Sequence, residues 1–384
     1  MTTDPIDDFA AYVDALVRQD PGHFNLVQVA AEASRRGVFT AEEVVRCQRG
    51  ATIPDWLAER LGGAPMPLVD GAATVIEAPF GPGSTSARRI DAGPVRLALY
   101  NFNRLAIGSE GLVLEMSPAR GRWLAPRVAA AASVPHLPGT TVDAVVEGGP
   151  LLSHWLFDAL PKLLALRGTM DFDTVDTFLF TSLQHGFHRE TLERLDIDPS
   201  RCRTRQEAGA VFDADHVVWV APMRHGFRAS AHLYEAVKAL FAPDRADPDA
   251  PRRIYISRSR ASRRRILNEE ALLPLLAARG YAVVHLEDLG IAGAAALMQN
   301  AEHVIGLHGA GFANIVFAPP GCRVSEIHGP HLSAEYRIMS QILGFEYDAF
   351  DCGTITEGVT GDFFRSNAAD VVLPESHLAA LLLD

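Results

Sequence analysis

Strand-like and helix-like segments alternate regularly in the last third of the chain, and this alternation limits the possible folds more than any other feature. The predicted strands are short apolar runs at 254–257, 281–286, 303–307, 323–327 and 347–350. The predicted helices are the segments at 268–279, 291–300, 311–317 and 333–343. Strands that alternate with helices form a parallel sheet covered by helices. The sequence therefore predicts a Rossmann-like α/β domain in this region.

The remaining sequence predicts two further regions. Residues 1–63 carry short amphipathic patterns, which predict a helical N-terminal segment. Residues 64–245 mix strand and helix patterns and predict a second Rossmann-like domain. Strand candidates there are 95–100, 112–115, 142–146, 177–181 and 216–220. A stretch rich in Pro and Asp, 243–251, predicts a linker to the C-terminal domain at 250–384, which ends in a helix at 373–383. We expect a cleft between the two α/β halves.

Charge and cysteine content exclude several classes of protein. The chain has 384 residues and a formal net charge of −12, which argues against a nucleic-acid partner. Its four cysteines form no CxxC pair, so reduced thiols in a cytoplasmic protein are expected. We see no secretory signal and no apolar run of about 18 residues that would predict a membrane span. Peripheral association with the inner face of a membrane stays open.

The stretch 304–314 predicts a buried strand followed by a turn of small residues, His308-Gly309-Ala310-Gly311, and then a helix. Small residues allow backbone N–H groups to approach a ligand, and a helix N-terminus favours an anion. Asn314 lies one helical turn further on. The alternative interpretation is that the glycines serve packing alone.

Seven arginines lie within residues 252–265 of this acidic chain. Arg258 follows the first predicted strand, and Arg264 and Arg265 lie in the loop before the helix that starts near Asn268. Guanidinium groups suit phosphate oxygens. A solvated arginine surface and a nucleic-acid patch are alternatives, but no aromatic residue lies among the arginines of 258–265 for base stacking. The pattern favours the phosphate of a small ligand at the same sheet edge as His308.

Acidic residues supply the remaining candidates. Glu326 closes the fourth predicted strand, and it could accept hydrogen bonds from a ribose or simply face the surface. His154 and Asp158 are four residues apart on a predicted helix and share one face. Asp158 could deprotonate an acceptor hydroxyl, with His154 orienting it, binding the acceptor or acting as the base itself. We interpret Asp171-Phe172-Asp173 as a turn and predict no metal site.

Three motifs are missing from the sequence. There is no GxSxG, no GxGxxG and no GxxxxGK[ST], which argues against an α/β-hydrolase, a dinucleotide fingerprint and a P-loop. The motifs that are present resemble glycosyltransferase family 61 in order and spacing. The segments that carry this resemblance are 254–258, 264–269, 280–281, 306–311, Asn314, Phe317, 320–321 and Glu326, together with the helix 153–161.

The resemblance implies a GT-B-like fold with two facing Rossmann-like domains and a deep cleft. It implies an inverting transfer from a nucleotide-sugar donor held by the C-terminal half, with arginines and a helix dipole in place of a metal and with no required cofactor. The implied catalytic residue is Asp158, with His154 as the alternative base. The implied donor-site residues are Arg258, Arg264, Arg265, Asn268, His308, Gly309, Ala310, Gly311, Asn314 and Glu326.

One departure from the family keeps other functions open. The family commonly has a Glu-Gln pair in the helix before the glycine turn, where this chain has Gly293-Ala294. The leading hypothesis is a glycosyltransferase that builds a surface polysaccharide or related glycan. The alternatives are a degenerate protein that binds nucleotide sugar or glycan without turnover, and a nucleotide-sugar epimerase or hydrolase. The nucleotide, the sugar, the acceptor and the oligomeric state stay open.

Overall fold

The structure is a computed structural model of the chain. It describes residues 128–224, 227–243, 247–329, 333–352 and 369–381, with shorter stretches at 72–77, 86–100, 103–109, 111–114 and 124–126 and a few positions between 9 and 40. The helical segment predicted at 1–63 lies almost wholly outside the described residues.

The first half is built on a nine-stranded mixed sheet. Its strands are β1 (Ala72–Glu77), β2 (Ser86–Ala92), β3 (Val95–Tyr100), β4 (Asn103–Gly108), β5 (Gly111–Leu114), β6 (His136–Asp143), β7 (Thr177–Phe180), β8 (Cys202–Thr204) and β9 (Val211–Val220). Strands β6 to β9 are mutually parallel, as expected for a Rossmann-like unit. Strands β2 and β3 pair antiparallel with β9. Strands β4 and β5 extend the sheet antiparallel, because the connections from β3 to β4 and from β4 to β5 are too short for a parallel crossover. The strand predicted at 142–146 is wrong in position, since β6 ends at Asp143.

The second half is a five-stranded parallel sheet, which confirms the predicted alternation. Its strands are β10 (Arg253–Ile256), β11 (Ala282–Val284), β12 (His303–Leu307), β13 (Arg323–His328) and β14 (Glu346–Asp351). The strand order is β11-β10-β12-β13-β14. The chain therefore moves to one side of β10 first and then to the other, and the order reverses between β10 and β12. Such a reversal opens a crevice at the carboxyl edge of the sheet.

Helices cover both sheets. The helix α1 is wound as an α-helix over Leu152–His154, as a π-helix over Trp155–Ala159 and as an α-helix again over Leu160–Arg167. The wider turn precedes Pro161, which has no N–H for the carbonyl four residues before it. The other helices are α2 (Gly186–Arg194), α3 (Arg205–Ala208), α4 (Ala231–Phe241), α5 (Glu269–Ala278), α6 (Gly290–Met298), α7 (Glu335–Leu343), α8 (Glu375–Leu381) and a 3₁₀ helix, Ala310–Phe317. Within the described part of the chain, every helix is too short or too polar to cross a membrane.

The two halves share one apolar core. A single cluster of buried side chains includes Trp155 and Phe157 of α1, Phe180 of β7, and Met298 and Phe312 from the second half. Burial of this much aromatic and aliphatic surface is the main force that holds the halves together. The architecture is α/β with parallel sheets, as predicted, while the finer GT-B arrangement stays a prediction.

His188 on α2 anchors the loop that leads into α1. It is fully buried, and its Nε2 lies 3.2 Å from the carbonyl oxygen of Gly149, while the backbone N–H of His185 donates to its Nδ1 over 3.1 Å. The ring of Trp155 packs edge-on at 4.4 Å. These partners fit the neutral imidazole with its proton on Nε2. Burial is the main cause that lowers the pKa of His188 to about 4.

We predict that this histidine makes the protein less stable in acid. Between pH 6.5 and about 4 the unfolded chain binds a proton at His188 that the folded chain does not, so the free energy of unfolding should fall as pH falls through this window. Urea unfolding of the wild type and His188→Gln at several pH values measures this. The free energy of unfolding should depend less on pH in the variant than in the wild type. The same pH dependence in both proteins would contradict the assignment.

Candidate active site

The crevice between β10 and β12 contains a cavity. Ile256 of β10 is the register partner of Gly306 of β12, so the loops after both strands leave the sheet at the same edge. A cavity of about 450 Å³ lies there. Its wall includes Leu152 and Phe187 from the first half of the chain and Arg258 from the second. This is where a parallel sheet of this order binds ligands.

The glycine turn brings backbone and guanidinium into contact. A methyl group on Gly309 would lie 2.4 Å from Nη1 of Arg258, so the guanidinium reaches the turn only because this residue is glycine. The phenol of Tyr336 donates to the carbonyl oxygen of Gly309 over 2.7 Å and fixes the turn. A methyl group on Gly311 would meet no described atom within 4 Å. Packing therefore explains Gly309 in part but does not explain Gly311.

Arg258 and Arg264 form a cationic pair beside this turn. Nε of Arg258 donates to the carbonyl oxygen of Arg264 over 3.0 Å. Nε of Arg264 is buried and has no hydrogen-bond partner among the described residues. Burial, followed by the charges of Arg258 and Arg263, lowers the pKa of Arg264 to about 10, and burial also lowers the pKa of Arg258. An anion bound between the two groups would offset both costs.

The N-terminal end of the 3₁₀ helix faces the same cavity. The first N–H groups of a helix have no partner within it, and Ala310 and Gly311 occupy these positions. Asn314 is 2% exposed, and its Nδ2 donates to the carbonyl oxygen of Gly311 over 2.8 Å. Its Oδ1 is buried without a partner in the described structure. Asn314 thus stiffens the turn and offers one acceptor at the cavity wall.

The structure does not bring Arg265 and Asn268 to this cavity. The guanidinium of Arg265 binds the carboxylate of Asp370 over 2.7 Å. The side-chain amide of Asn268 donates to the carbonyl of Leu373 and accepts from its N–H, each over 2.9 Å. Both residues therefore hold the C-terminal segment against the loop, and we no longer assign them to a donor site.

Glu326 is fully buried, so the surface-facing interpretation is wrong. Its Oε1 lies 2.5 Å from Nδ1 of His308, and its Oε2 accepts from the phenol of Tyr347 over 2.6 Å and lies 3.3 Å from Nε2 of His328. Burial raises the pKa of Glu326, but hydrogen bonds from His308 and His328 outweigh burial and lower it. With both oxygens bound by protein groups, Glu326 orients His308, and direct contact with a ribose stays a prediction.

The donor atoms of His308, Glu326 and His328 all lie within 4.8 Å of one another. Two imidazoles and a carboxylate are a set that could hold a metal ion. The same oxygens, however, are hydrogen-bonded to His308 and Tyr347. We therefore assign these residues to a buried hydrogen-bonded cluster behind the glycine turn.

A second cavity, of about 420 Å³, contains the predicted catalytic pair. Nδ1 of His154 lies 2.8 Å from Oδ2 of Asp158. Asp158 also accepts from Nε and Nη2 of Arg224, over 2.9 and 2.7 Å. Burial raises the pKa of Asp158, but hydrogen bonds from His154 and Arg224 and the charge of Arg224 outweigh it and lower the pKa. Asp158 is therefore an ionised carboxylate with both oxygens bound, which suits orienting His154 better than taking a proton.

Three residues of this site escaped the sequence analysis. Gly148 has φ 65°, and a methyl group there would lie 2.4 Å from Cδ2 of His154, so the imidazole fits only beside a glycine. Arg224 binds Asp158 on one edge and Glu335 of α7 through Nη1. Gly148 could have been noticed, because it belongs to a pair of glycines directly before α1. No local sequence pattern marks Arg224 or Glu335.

Both cavities reach the start of α1. Leu152 lines the cavity beside Arg258, and His154, two residues later, lines the second cavity. The first turn of α1 contacts the 3₁₀ helix Ala310–Phe317. The first turn of α1 therefore contributes side chains to both cavities.

The family model described as Glycosyltransferase 61 matches residues 152–325. The chain carries a glycosyltransferase family 61 domain. This match confirms the resemblance drawn from the motifs and the prediction of a glycosyltransferase enzyme, and the matched residues include His154, Arg258 and the glycine turn. No curated protein sequence matches the chain.

The departure from the family at Gly293-Ala294 lies in α6. Ala294 is buried in the shared core. The N-terminus of this helix receives a carboxylate from the first half, because the N–H groups of Ile291 and Ala292 donate to Glu190 over 2.7 and 2.6 Å. A carboxylate at a helix N-terminus is stabilising. This contact ties α2 to α6 beside the cavity.

We predict that Glu326→Gln destabilises the protein by about 1.5–3 kcal/mol, the range for losing buried hydrogen bonds to a charged group. The matched control is Glu302→Gln, because Glu302 pairs with Arg252 over 2.6 Å at an exposed site, where the loss should stay below about 1 kcal/mol. Denaturant unfolding at neutral pH measures both. Equal losses would show that the Glu326 cluster contributes no more than a surface ion pair.

Proposed function

We propose that this glycosyltransferase moves a sugar from a nucleotide-sugar donor to a hydroxyl acceptor, with inversion at the anomeric carbon. The observation that carries the proposal is the half-buried pair of Arg258 and Arg264 beside the glycine turn, together with a first turn of α1 that lines both this cavity and the cavity of His154. We further propose a GT-B arrangement, in which the second half holds the donor and the first half the acceptor.

The donor diphosphate would bind beside Arg258 and Arg264, with the N–H groups of Ala310 and Gly311 directed at it. Negative charge grows on the leaving diphosphate as the bond to the sugar breaks. Guanidinium groups and a helix N-terminus that are already in place stabilise such charge without reorganisation. The lowered pKa of both arginines supports this, because bound phosphate would return each guanidinium to favourable surroundings.

The acceptor would bind in the second cavity with its hydroxyl at Nε2 of His154. His154 takes the hydroxyl proton, the acceptor oxygen forms the new bond to the anomeric carbon, and the nucleoside diphosphate leaves with the electron pair of the old bond. Asp158 holds the imidazole through Nδ1 and stabilises its charged form, as carboxylates do in other histidine pairs. This reverses our sequence-based order, in which Asp158 was the base and His154 the alternative.

The wider biological setting also belongs to the proposal. We propose a role in building a surface polysaccharide or related glycan, and a cytoplasmic location. The described cysteines Cys202, Cys322 and Cys352 are free thiols, which supports a reducing compartment.

Calorimetric titration with UDP, GDP, CMP, dTDP and ADP, each with and without EDTA, tests the donor site. We expect micromolar binding of one nucleotide that EDTA does not change. Arg258→Ala should weaken that binding by about 1.5–3 kcal/mol, the range for a hydrogen bond to a charged group. Arg265→Ala is the matched control, because its guanidinium binds Asp370, and it should bind as the wild type does.

The titration has two unfavourable outcomes. Binding of none of the five nucleotides would favour the degenerate alternative that Gly293-Ala294 left open. Equal loss in Arg258→Ala and Arg265→Ala would remove Arg258 from the donor site, since only general electrostatic attraction would then connect the loop with the nucleotide.

Substitutions at the catalytic pair test the base. His154→Gln should lower kcat by about 10²–10⁴-fold, the usual contribution of a general base, with the affinity for the donor nucleotide unchanged. Asp158→Asn should also lower kcat, because an amide can donate to Nδ1 and then leaves the proton of the neutral imidazole on Nε2. Transfer from the sugar of the nucleotide found above to a panel of mono- and disaccharide acceptors measures both. Full activity in His154→Gln with complete loss in Asp158→Asn would restore Asp158 as the base.

A further inference from the structure

Arg224 joins the two halves of the chain at a single guanidinium group. Its side chain is 4% exposed. One edge holds Asp158 of α1 through two hydrogen bonds, and Nη1 on the other side binds Glu335, the first residue of α7. The rings of Phe157 and Phe227 lie 5.7 and 5.5 Å from its central carbon. A planar group with two charged partners and two aromatic neighbours has one orientation.

The contact continues to the glycine turn. Tyr336 follows Glu335 on α7, and its phenol donates to the carbonyl oxygen of Gly309 over 2.7 Å. The ring of Tyr336 lies 5.4 Å from the ring of His308. A continuous set of hydrogen bonds and covalent links therefore connects His154 and Asp158 in one cavity with Gly309 beside the other. It passes through Arg224 and the first two residues of α7.

We infer that Arg224 is a positioning residue that fixes the His154–Asp158 pair of the first half against the Gly309 turn of the second. The inference rests on the proposed function, in which these two sites hold the base and the donor. A buried guanidinium is costly unless both carboxylates reach it. Only an arrangement with α1 and α7 on either side of Arg224 satisfies this, so the charged groups favour the alignment of the two cavities that transfer needs.

Arg224 also sets the electrostatic field at His154. The charged groups that face His154 and Asp158 are Arg224 and, from the lining of the same cavity, Glu147 and Lys162, with Glu335 behind Arg224. Tyr234 of α4 also lies within electrostatic range of Arg224, Asp158 and Glu335. Without Arg224 the charge of Asp158 is less compensated, so His154 should keep its proton to higher pH. Without the charge of Glu335 the field of Arg224 is stronger, and His154 should lose its proton at lower pH.

Nuclear magnetic resonance titration of the histidine rings tests this without knowledge of the acceptor. The His154 signal is assigned with His154→Gln. We expect the His154 titration to move up by roughly half a pH unit or more in Arg224→Gln and down in Glu335→Gln. Arg96→Gln is the matched control, since Arg96 binds Asp213 through two hydrogen bonds of 2.7 and 2.9 Å elsewhere in the first half. It should leave His154 unchanged.

Kinetics with the donor and acceptor found above provides the second measurement. Arg224→Gln should lower kcat by about 10²-fold while the nucleotide Kd stays within about twofold, because alignment is lost and the phosphate site is not. Arg224→Lys should recover kcat only in part, since an ammonium group is a point charge and cannot bind Asp158 through two parallel hydrogen bonds while it also binds Glu335. In a plot of kcat against pH, the rise on the acid side should move in the same direction as the His154 titration.

A His154 titration that moves up in Arg224→Gln and down in Glu335→Gln would support the inference. A purely structural role of Arg224 does not predict opposite directions in the two variants. An unchanged His154 titration in folded Arg224→Gln, or unchanged kcat, would overturn it. If Arg224→Gln does not fold, Glu335→Gln decides by the direction of its shift, and no shift there overturns the inference as well. Failure of the proposed function is separate, because it would appear as full activity in His154→Gln.

Discussion

The parallel pairing of β10 with β12 is the constraint on which the site depends. Both strands end at one edge of the sheet, while the chain reaches their neighbours β11 and β13 on opposite sides. The loops after them must therefore share one crevice. Arg258 enters it from β10 and the glycine turn from β12, and the two meet because Gly309 has no side chain. Sheet topology decides that these segments meet, and a missing methyl group decides how closely.

Arginines that are buried or half-buried have two different environments in this molecule. Arg224 has two carboxylates and two aromatic rings around it, so the protein itself compensates its charge. Arg258 donates to the backbone carbonyls of Arg264 and Arg263, and Nε of Arg264 has no hydrogen-bond partner among the described residues. Because burial penalises a charged group that lacks a counter-charge, the first arginine stabilises the folded arrangement while the other two favour a bound anion. The residue type is the same, and the surrounding charges decide the role.

Particular residues show where sequence reasoning succeeded and failed. The alternation after 250 was sufficient for the second sheet, because each strand and helix there carries its own periodicity. Arg264 and Arg265 are neighbours in sequence but serve different partners. The backbone turns at Arg264, where φ is 56°, so one side chain lies beside Arg258 and the next binds Asp370. The residue types around Arg264 do not predict that the backbone turns there and directs the two side chains to different partners. The burial of Glu326 also depended on packing of His308, Tyr347 and His328 around it.

The sequence by itself determined the α/β class, the glycine turn, the arginine loop and the His154–Asp158 pair, because each depends on residues close together in the chain. Helical spacing alone places His154 beside Asp158. Only the tertiary structure decided that Asp158 is bound by Arg224, 66 residues away, and that Glu335, 111 residues beyond Arg224, binds the same guanidinium. Contacts over such separations follow from how two sheets pack around a shared core. The local sequence carries no record of that packing, and the packing decides that both oxygens of Asp158 are bound by other side chains.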